Sequence, residues 1–170
     1  NGETVSSCSE DCGTNCFVSG TPVMLADNTY KSIEQIAIGD SVKSFDPNTG
    51  AFSAGTVTST TIRDVDQIYD IVFSDDSSVK VTGEHPFYVK SSEGEKIHTY
   101  FVQVKNLNVG DLVYKANDDN SVAVKIDSIQ QTSEPAVVHN FNVEPFHTYI
   151  ANGMMVHNVK SSCGDGTCNV

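Results

Sequence analysis

Apolar residues in this chain come in short clusters rich in Val, Ile, Thr, Tyr and Phe, cut apart by polar stretches of turn chemistry. "DSVKSF" at 40–45, "AGTVTSTTI" at 54–62, "QIYDIVF" at 67–73, "SVKVT" at 78–82, "PFYVK" at 86–90 and "VAVKIDSI" at 122–129 are typical, and "AVVHNFNV", "HTYIA" and "MMVH" close the series. "DPNTG" at 46–50, "SDDSS" at 74–78, "SSEG" at 91–94, "NDDN" at 117–120 and "NG" at 152–153 read as turns between them. Runs this short, β-branched and evenly punctuated predict an all-β domain. Only "YKSIEQIAIGD" and "FVQVKNLNVGD" hold apolar pairs at helical spacing, Ile33/Ile36 and Val104/Leu107, and each predicts a single helical turn.

Those two stretches also reveal a repeat. Ile33, Ile36, Ile38, Gly39, Asp40 and Val42 recur at a constant offset of 71 as Val104, Leu107, Val109, Gly110, Asp111 and Val113. The match continues, with a drift of one residue, through "IYDIVF" against "VHNFNV" and His85 against His157. Two copies of one β-unit predict a pseudo-twofold domain whose equivalent histidines approach a central cleft.

The run Met154-Met155-Val156 reads as a buried strand, yet it stops on His157-Asn158. Asn152-Gly153 just before it is the strongest two-residue hairpin signal, because a type I′ turn needs positive φ at both positions. Partners across such a turn have numbers summing to 305, so Ile150 faces Met155 and His147 faces Asn158. Directly opposed side chains have Cβ atoms roughly 5 Å apart, which sets an imidazole beside an amide.

Length and charge narrow the reading. The 170 residues suit one domain. A net charge of −12 opposes phosphate backbones, so no nucleic-acid partner is expected. No apolar run reaches the length of a membrane span, and no membrane association is expected. The opening "NGETV" reads as part of a longer precursor. Cysteines stand at 8, 12, 16, 163 and 168, all near the two ends, in Ser/Gly/Asp-rich flanks. The outer four suit either two disulfides, with Cys16 left over, or a loose metal pattern. Cys12 could also close a disulfide onto Cys16, which would deprive Cys16 of its thiolate.

Three blocks carry a family resemblance: "CFVSGTPVMLADNTYKSIEQIAIGDSV" at 16–42, "VTGEHPFYV" at 81–89, and "VVHNFNVEPFHTYIANGMMVHN" at 137–158. In this order and spacing they resemble the Hint superfamily of inteins, bacterial intein-like domains and hedgehog autoprocessing domains. The resemblance implies an all-β horseshoe with internal pseudo-twofold symmetry over 16–158, flanked by extein-like segments 1–15 and 159–170. It also implies a monomer that acts on its own flanking polypeptide without a cofactor. The compartment stays open, with a secreted or cell-surface bacterial precursor as one host it allows.

The chemistry so implied is self-cleavage. Cys16 would attack the carbonyl of Asn15 and turn that peptide bond into a thioester, with Thr82 holding the scissile amide and His85 protonating the departing nitrogen. Asn158 would cyclise onto its own carbonyl and release the chain from Val159, with His147 deprotonating or aligning the amide and His157 donating to the developing oxyanion. Two residues depart from the splicing pattern. Val159 stands where splicing inteins carry Cys, Ser or Thr, and an isopropyl group cannot accept an acyl group; cleavage at both ends is therefore expected, with low-yield ligation only if the freed Val159 amine attacks the thioester. Asn140 stands where many inteins have Asp, and an amide can donate to an oxyanion but cannot shuttle a proton. His139 is expected as a spare cleft or surface histidine, and His98 shows no role. A framework of this length leaves no room for a nested homing endonuclease. Two rival readings remain: a hedgehog-like thioester resolved by an outside nucleophile, which needs no terminal Asn, and a non-catalytic β-scaffold with metal- or disulfide-binding flanks.

Overall fold

Fourteen strands and two single 3-10 turns make up the chain in a computed structural model that describes residues 15–93 and 96–158. Val159, Cys8, Cys12, Cys163 and Cys168, with the readings built on them, lie outside the described residues, as does the side chain of His98. In chain order the strands are β1 (Phe17–Val18), β2 (Pro22–Met24), β3 (Tyr30–Ser32), β4 (Ser41–Phe45), β5 (Phe52–Val65), β6 (Ile68–Phe73) and β7 (Ser78–Val81). Then follow β8 (Pro86–Glu93), β9 (Lys96–Gln103), β10 (Leu112–Asn117), β11 (Asn120–Thr132), β12 (Ala136–Glu144), β13 (Thr148–Ala151) and β14 (Met154–His157). The predicted helical turns are the 3-10 turns Ile33–Gln35 and Val104–Asn106.

The repeat is preserved down to single hydrogen bonds. Gly39 N–H donates to the Val57 carbonyl and Gly110 N–H to the Ile126 carbonyl, each at 2.8 Å. Both glycines have positive φ, 94° and 96°, which an L side chain adopts only with strain. The Asp40 carboxylate accepts from Ala37 N–H at 2.9 Å, and that of Asp111 from Asn108 N–H at 2.8 Å. Each half thus begins with an apolar 3-10 turn that a following glycine and aspartate tie to a long strand.

The halves exchange those long strands. β5, hairpinned to β4 in the first half, pairs along its length with β12 of the second; β11, hairpinned to β10, pairs with β6 of the first. One continuous ladder results, in the order β3-β2-β13-β14-β8-β10-β11-β6-β7-β1-β12-β5-β4, with β9 on β8.

The last hairpin keeps the register read from the sequence: Thr148 faces His157, Tyr149 faces Val156, Ile150 faces Met155 and Ala151 faces Met154. Asn152 and Gly153 turn it with φ of 48° and 82°. Met154-Met155-Val156 shows no apolar–polar alternation because β14 is buried on both faces. Met154 and Val156 join the main core with Phe17, Phe87, Phe141 and Tyr149, whereas Met155 joins a smaller one with Met24, Phe45, Tyr88 and Ile150. Thr148 clamps this hairpin to β4: its hydroxyl accepts Phe45 N–H at 2.9 Å and donates to the Phe45 carbonyl at 2.6 Å.

Candidate active site

Cys16 lies immediately before β1, where Phe17 pairs with Val81 on one side and His139 on the other. Cys16 itself is fully buried. Its N–H donates to Thr82 Oγ1 at 2.8 Å, and Thr82 N–H donates to the Cys16 carbonyl at 2.9 Å. His85 closes the Thr82–His85 turn through a backbone bond to the Thr82 carbonyl at 3.4 Å. Its ring is fully buried, edge-on to Phe17 with centroids 4.4 Å apart. The turn can pass this close because Gly83 has no side chain: a Cβ there would stand 2.8 Å from the Tyr69 ring.

Neither ring nitrogen of His85 has a hydrogen bond of ordinary geometry among the described residues. Burial drives its pKa down to about 3, opposed in part by the Asn15 backbone and aided by His157. A backbone group that favours the imidazolium is an acceptor, so the Asn15 carbonyl faces this ring. Burial likewise pushes the Cys16 thiol up to about 12; Arg63 offsets part of that and Glu84 adds to it. At neutral pH thiol and imidazole are both uncharged.

At the other junction Asn158 is 3% exposed, and its carboxamide is held at both ends. Its Oδ1 accepts from Asn140 Nδ2 at 2.8 Å, while its Nδ2 donates to the Phe141 carbonyl and to Asn142 Oδ1. Asn142 is steadied in turn by its own Nδ2 donating to Ser59 Oγ at 2.8 Å. Asn140 Oδ1 accepts from Phe141 N–H at 2.8 Å and from the Tyr149 hydroxyl at 3.0 Å.

His147 does sit across from Asn158, with Asn158 N–H donating to the His147 carbonyl at 2.6 Å. The imidazole does not hold the carboxamide, however. His147 has a φ of 55°; its Nδ1 is buried without a hydrogen bond, and its Nε2 lies 3.8 Å from Glu144 Oε2. The His157 ring packs on Phe101 at 4.8 Å and stands 6.4 Å from the His147 ring. Burial first, and then His147, bring the His157 pKa to about 4, so it is a neutral donor or acceptor at physiological pH.

The structure thus gathers Cys16, Thr82 and His85 at one junction and Asn140 with Asn158 at the other, with His147 and His157 beside the latter. Of the two places expected for His139, cleft or surface, the surface one fails: the residue is buried, with Nε2 2.7 Å from Ser19 Oγ, because β12 runs inside the ladder between β1 and β5. Asn142, Ser59 and Tyr149 escaped the sequence reading. A signal for Asn142 was present, since in "HNFN" the strand period of two puts Asn140 and Asn142 on one face. Among the described residues no group of three or more His, Cys, Asp or Glu could hold a metal ion.

An all-β ladder of two like halves that exchange their long strands is the fold of Hint and intein-like domains. The solution structure of a bacterial intein-like domain from Clostridium thermocellum is 30% identical, with a TM-score of 0.73 over 86% of this chain and 100% of that one. The DnaB intein from Synechocystis sp. PCC 6803 (16% identical, TM-score 0.73, 85% and 98% covered) and the TvoVMA intein (20%, 0.72, 86% and 100%) share the fold. The chain belongs to the pretoxin Hint domain family, whose model matches residues 23–159, so that Cys16 precedes the matched region. No curated protein matches the sequence. Membership implies autoprocessing in general.

Proposed function

We propose that residues 16–158 cut their own flanks by two nucleophiles, Cys16 and Asn158. The observation that carries the reading is that these two residues, remote in sequence, are both buried, each with its reacting neighbourhood held by named polar groups.

At the first junction the Cys16 sulfur attacks the Asn15 carbonyl carbon, the C–N bond of Asn15–Cys16 breaks, and the thiol proton ends on the freed Cys16 amine. The result is a thioester, an isomer of the starting chain. His85, neutral and facing that carbonyl, accepts the proton from sulfur and passes it to nitrogen. Thr82 Oγ1 fixes the nitrogen that must depart. Because thiol and imidazole are both uncharged at rest, the thiolate forms only as attack occurs.

At the second junction Asn158 Nδ2 attacks the Asn158 main-chain carbon, the bond to Val159 breaks, and one Nδ2 proton goes to the departing amine, leaving a succinimide. The Phe141 carbonyl and Asn142 Oδ1 accept the Nδ2 protons and so enrich the nitrogen. Asn140, by donating to Oδ1, holds the carboxamide so that Nδ2 is the end left for attack. Neutral His157 supplies a donor for the oxyanion, and His147 takes the proton that leaves Nδ2. Val159 offers no side-chain acceptor, so both flanks are cleaved, and ligation is confined to direct attack of its amine on the thioester.

A time course of intact mass on the full chain, with and without an added thiol, tests this. Cys16→Ala should stop cleavage before residue 16 and leave release of 159–170; Asn158→Ala should do the reverse. A fragment pattern unchanged by both substitutions would overturn the reading in favour of an inert scaffold cut by contaminating protease.

A further inference from the structure

Tyr149 reaches from the Cys16 side of the core to the Asn158 side. Its ring lies 6.0 Å from the His85 ring and 6.2 Å from Phe17, beside Cys16, while its hydroxyl donates to Asn140 Oδ1 at 3.0 Å. It is fully buried, and Phe141 packs on its ring with centroids 4.1 Å apart. A buried phenol is a poor choice for packing alone, since its hydroxyl must find a partner or lose solvation. The Tyr149 hydroxyl therefore answers a need of its surroundings, and the partner it finds is Asn140.

That need is orientation. Each carboxamide in the series can face two ways, and the hydrogen bonds decide between them. Two donors, Tyr149 O–H and Phe141 N–H, converge on Asn140 Oδ1, so Asn140 must turn its Nδ2 toward Asn158. Asn158 must then present Oδ1 to Asn140 and Nδ2 to the Phe141 carbonyl and Asn142. The nucleophilic atom is selected two residues upstream of the reaction.

We infer that Tyr149 is a positioning residue for release at Asn158: through Asn140 it sets which end of the Asn158 carboxamide is available as nucleophile. The inference rests on the two-nucleophile reading above. Burial raises the Tyr149 phenol well above its ordinary pKa, and Cys16 adds to the rise, so it stays a donor at any pH the domain meets.

The experiment is release of residues 159–170 by the full chain, followed by intact mass for Tyr149→Phe, Asn140→Ala and the double variant. Tyr149→Phe keeps the ring on Phe17, His85 and Phe141 and removes only the hydroxyl. Release is expected to slow about three- to tenfold, the worth of one net hydrogen bond, and the double variant should be no slower than Asn140→Ala alone. Side-chain carboxamide resonances of Asn140 and Asn158 in the unreacted chain give a second readout and should shift in Tyr149→Phe. Release at the parent rate, unchanged carboxamide resonances, or equal slowing by Tyr149→Phe with and without Asn140 would each overturn the inference. Asn158→Ala separates the two levels. If it still sheds the flank, the two-nucleophile reading fails and the Tyr149 role with it; if it is silent while Tyr149→Phe matches the parent, only the Tyr149 role fails.

Discussion

Thr82 grips Cys16 from both sides: its hydroxyl accepts the Cys16 N–H at 2.8 Å and its own N–H donates to the Cys16 carbonyl at 2.9 Å. The second bond is backbone and survives any substitution; the first depends on the hydroxyl. Thr82→Val would remove the acceptor that Thr82 offers a buried N–H, at a cost of about 1 kcal/mol or more. Stability to denaturant should fall by that amount and thiol-induced cleavage before Cys16 by about tenfold or more. Thr82→Ser should restore both, which shape alone would not do.

Asn142 is the corresponding grip at the far junction. Asn142→Ala removes an acceptor from Asn158 Nδ2 and should slow release of the C-terminal flank by about tenfold, the worth of about 1.4 kcal/mol. Ser59→Ala, which only frees Asn142, should slow it less. Quenched samples read by mass decide both. Equal rates for Asn142→Ala and the parent would remove Asn142 from the mechanism.

Acid should weaken this fold earlier than its carboxylates dictate. Burial holds His85 neutral down to about pH 3, whereas in the unfolded chain it takes up a proton below about 6.5. Stability therefore falls as the pH drops from 6.5 toward 3, by about 1.4 kcal/mol per pH unit from His85. His157, lowered to about 4, acts in the same direction. Asp75 acts only lower: burial raises its pKa, but Lys115 and Ser77 together bring it to about 2. Urea unfolding at pH 7, 6 and 5 should show the loss, and His85→Leu should flatten it.

Thiol chemistry should show the opposite sense. With the Cys16 pKa at about 12, mainly through burial, thiolate grows about tenfold for each pH unit well past the ordinary thiol value near 8.5. Alkylation of Cys16 in Asn158→Ala, mapped by peptide mass between pH 7 and 10, should rise log-linearly without a plateau. Burial slows the reaction throughout but does not set its slope. A plateau near pH 8.5 would mean that Cys16 meets water.

Much of this was legible in the chain because it is written in local spacing. The offset of 71 needs only the string to be seen, and it led to paired 3-10 turns, glycines and aspartates that the structure repeats bond for bond. The Asn152-Gly153 turn set the register of the last hairpin for the same reason, since positive φ at two adjacent positions leaves little choice. The exchange of β5 and β11 between the halves was not legible: both pairings join strands far apart in sequence, and alternation says which face is buried but not which strand lies alongside. The partners of Asn158 were hidden likewise. The hairpin pointed to His147, its neighbour across the turn, whereas the carboxamide is held by β12, a strand that reaches it only through the tertiary fold.

That exchange also imposes a chronology. The peptide around Cys16 acquires its surroundings when Phe17 pairs with His139 on β12, and β12 in turn needs β5. A ribosome delivers the first junction early and its strand partner more than a hundred residues later. Until then the Asn15–Cys16 peptide lacks its β12 neighbour, even once β7 and the Thr82–His85 turn have been made. On the two-nucleophile reading, order of manufacture thereby guards against premature cutting: the blade is forged first and the handle last.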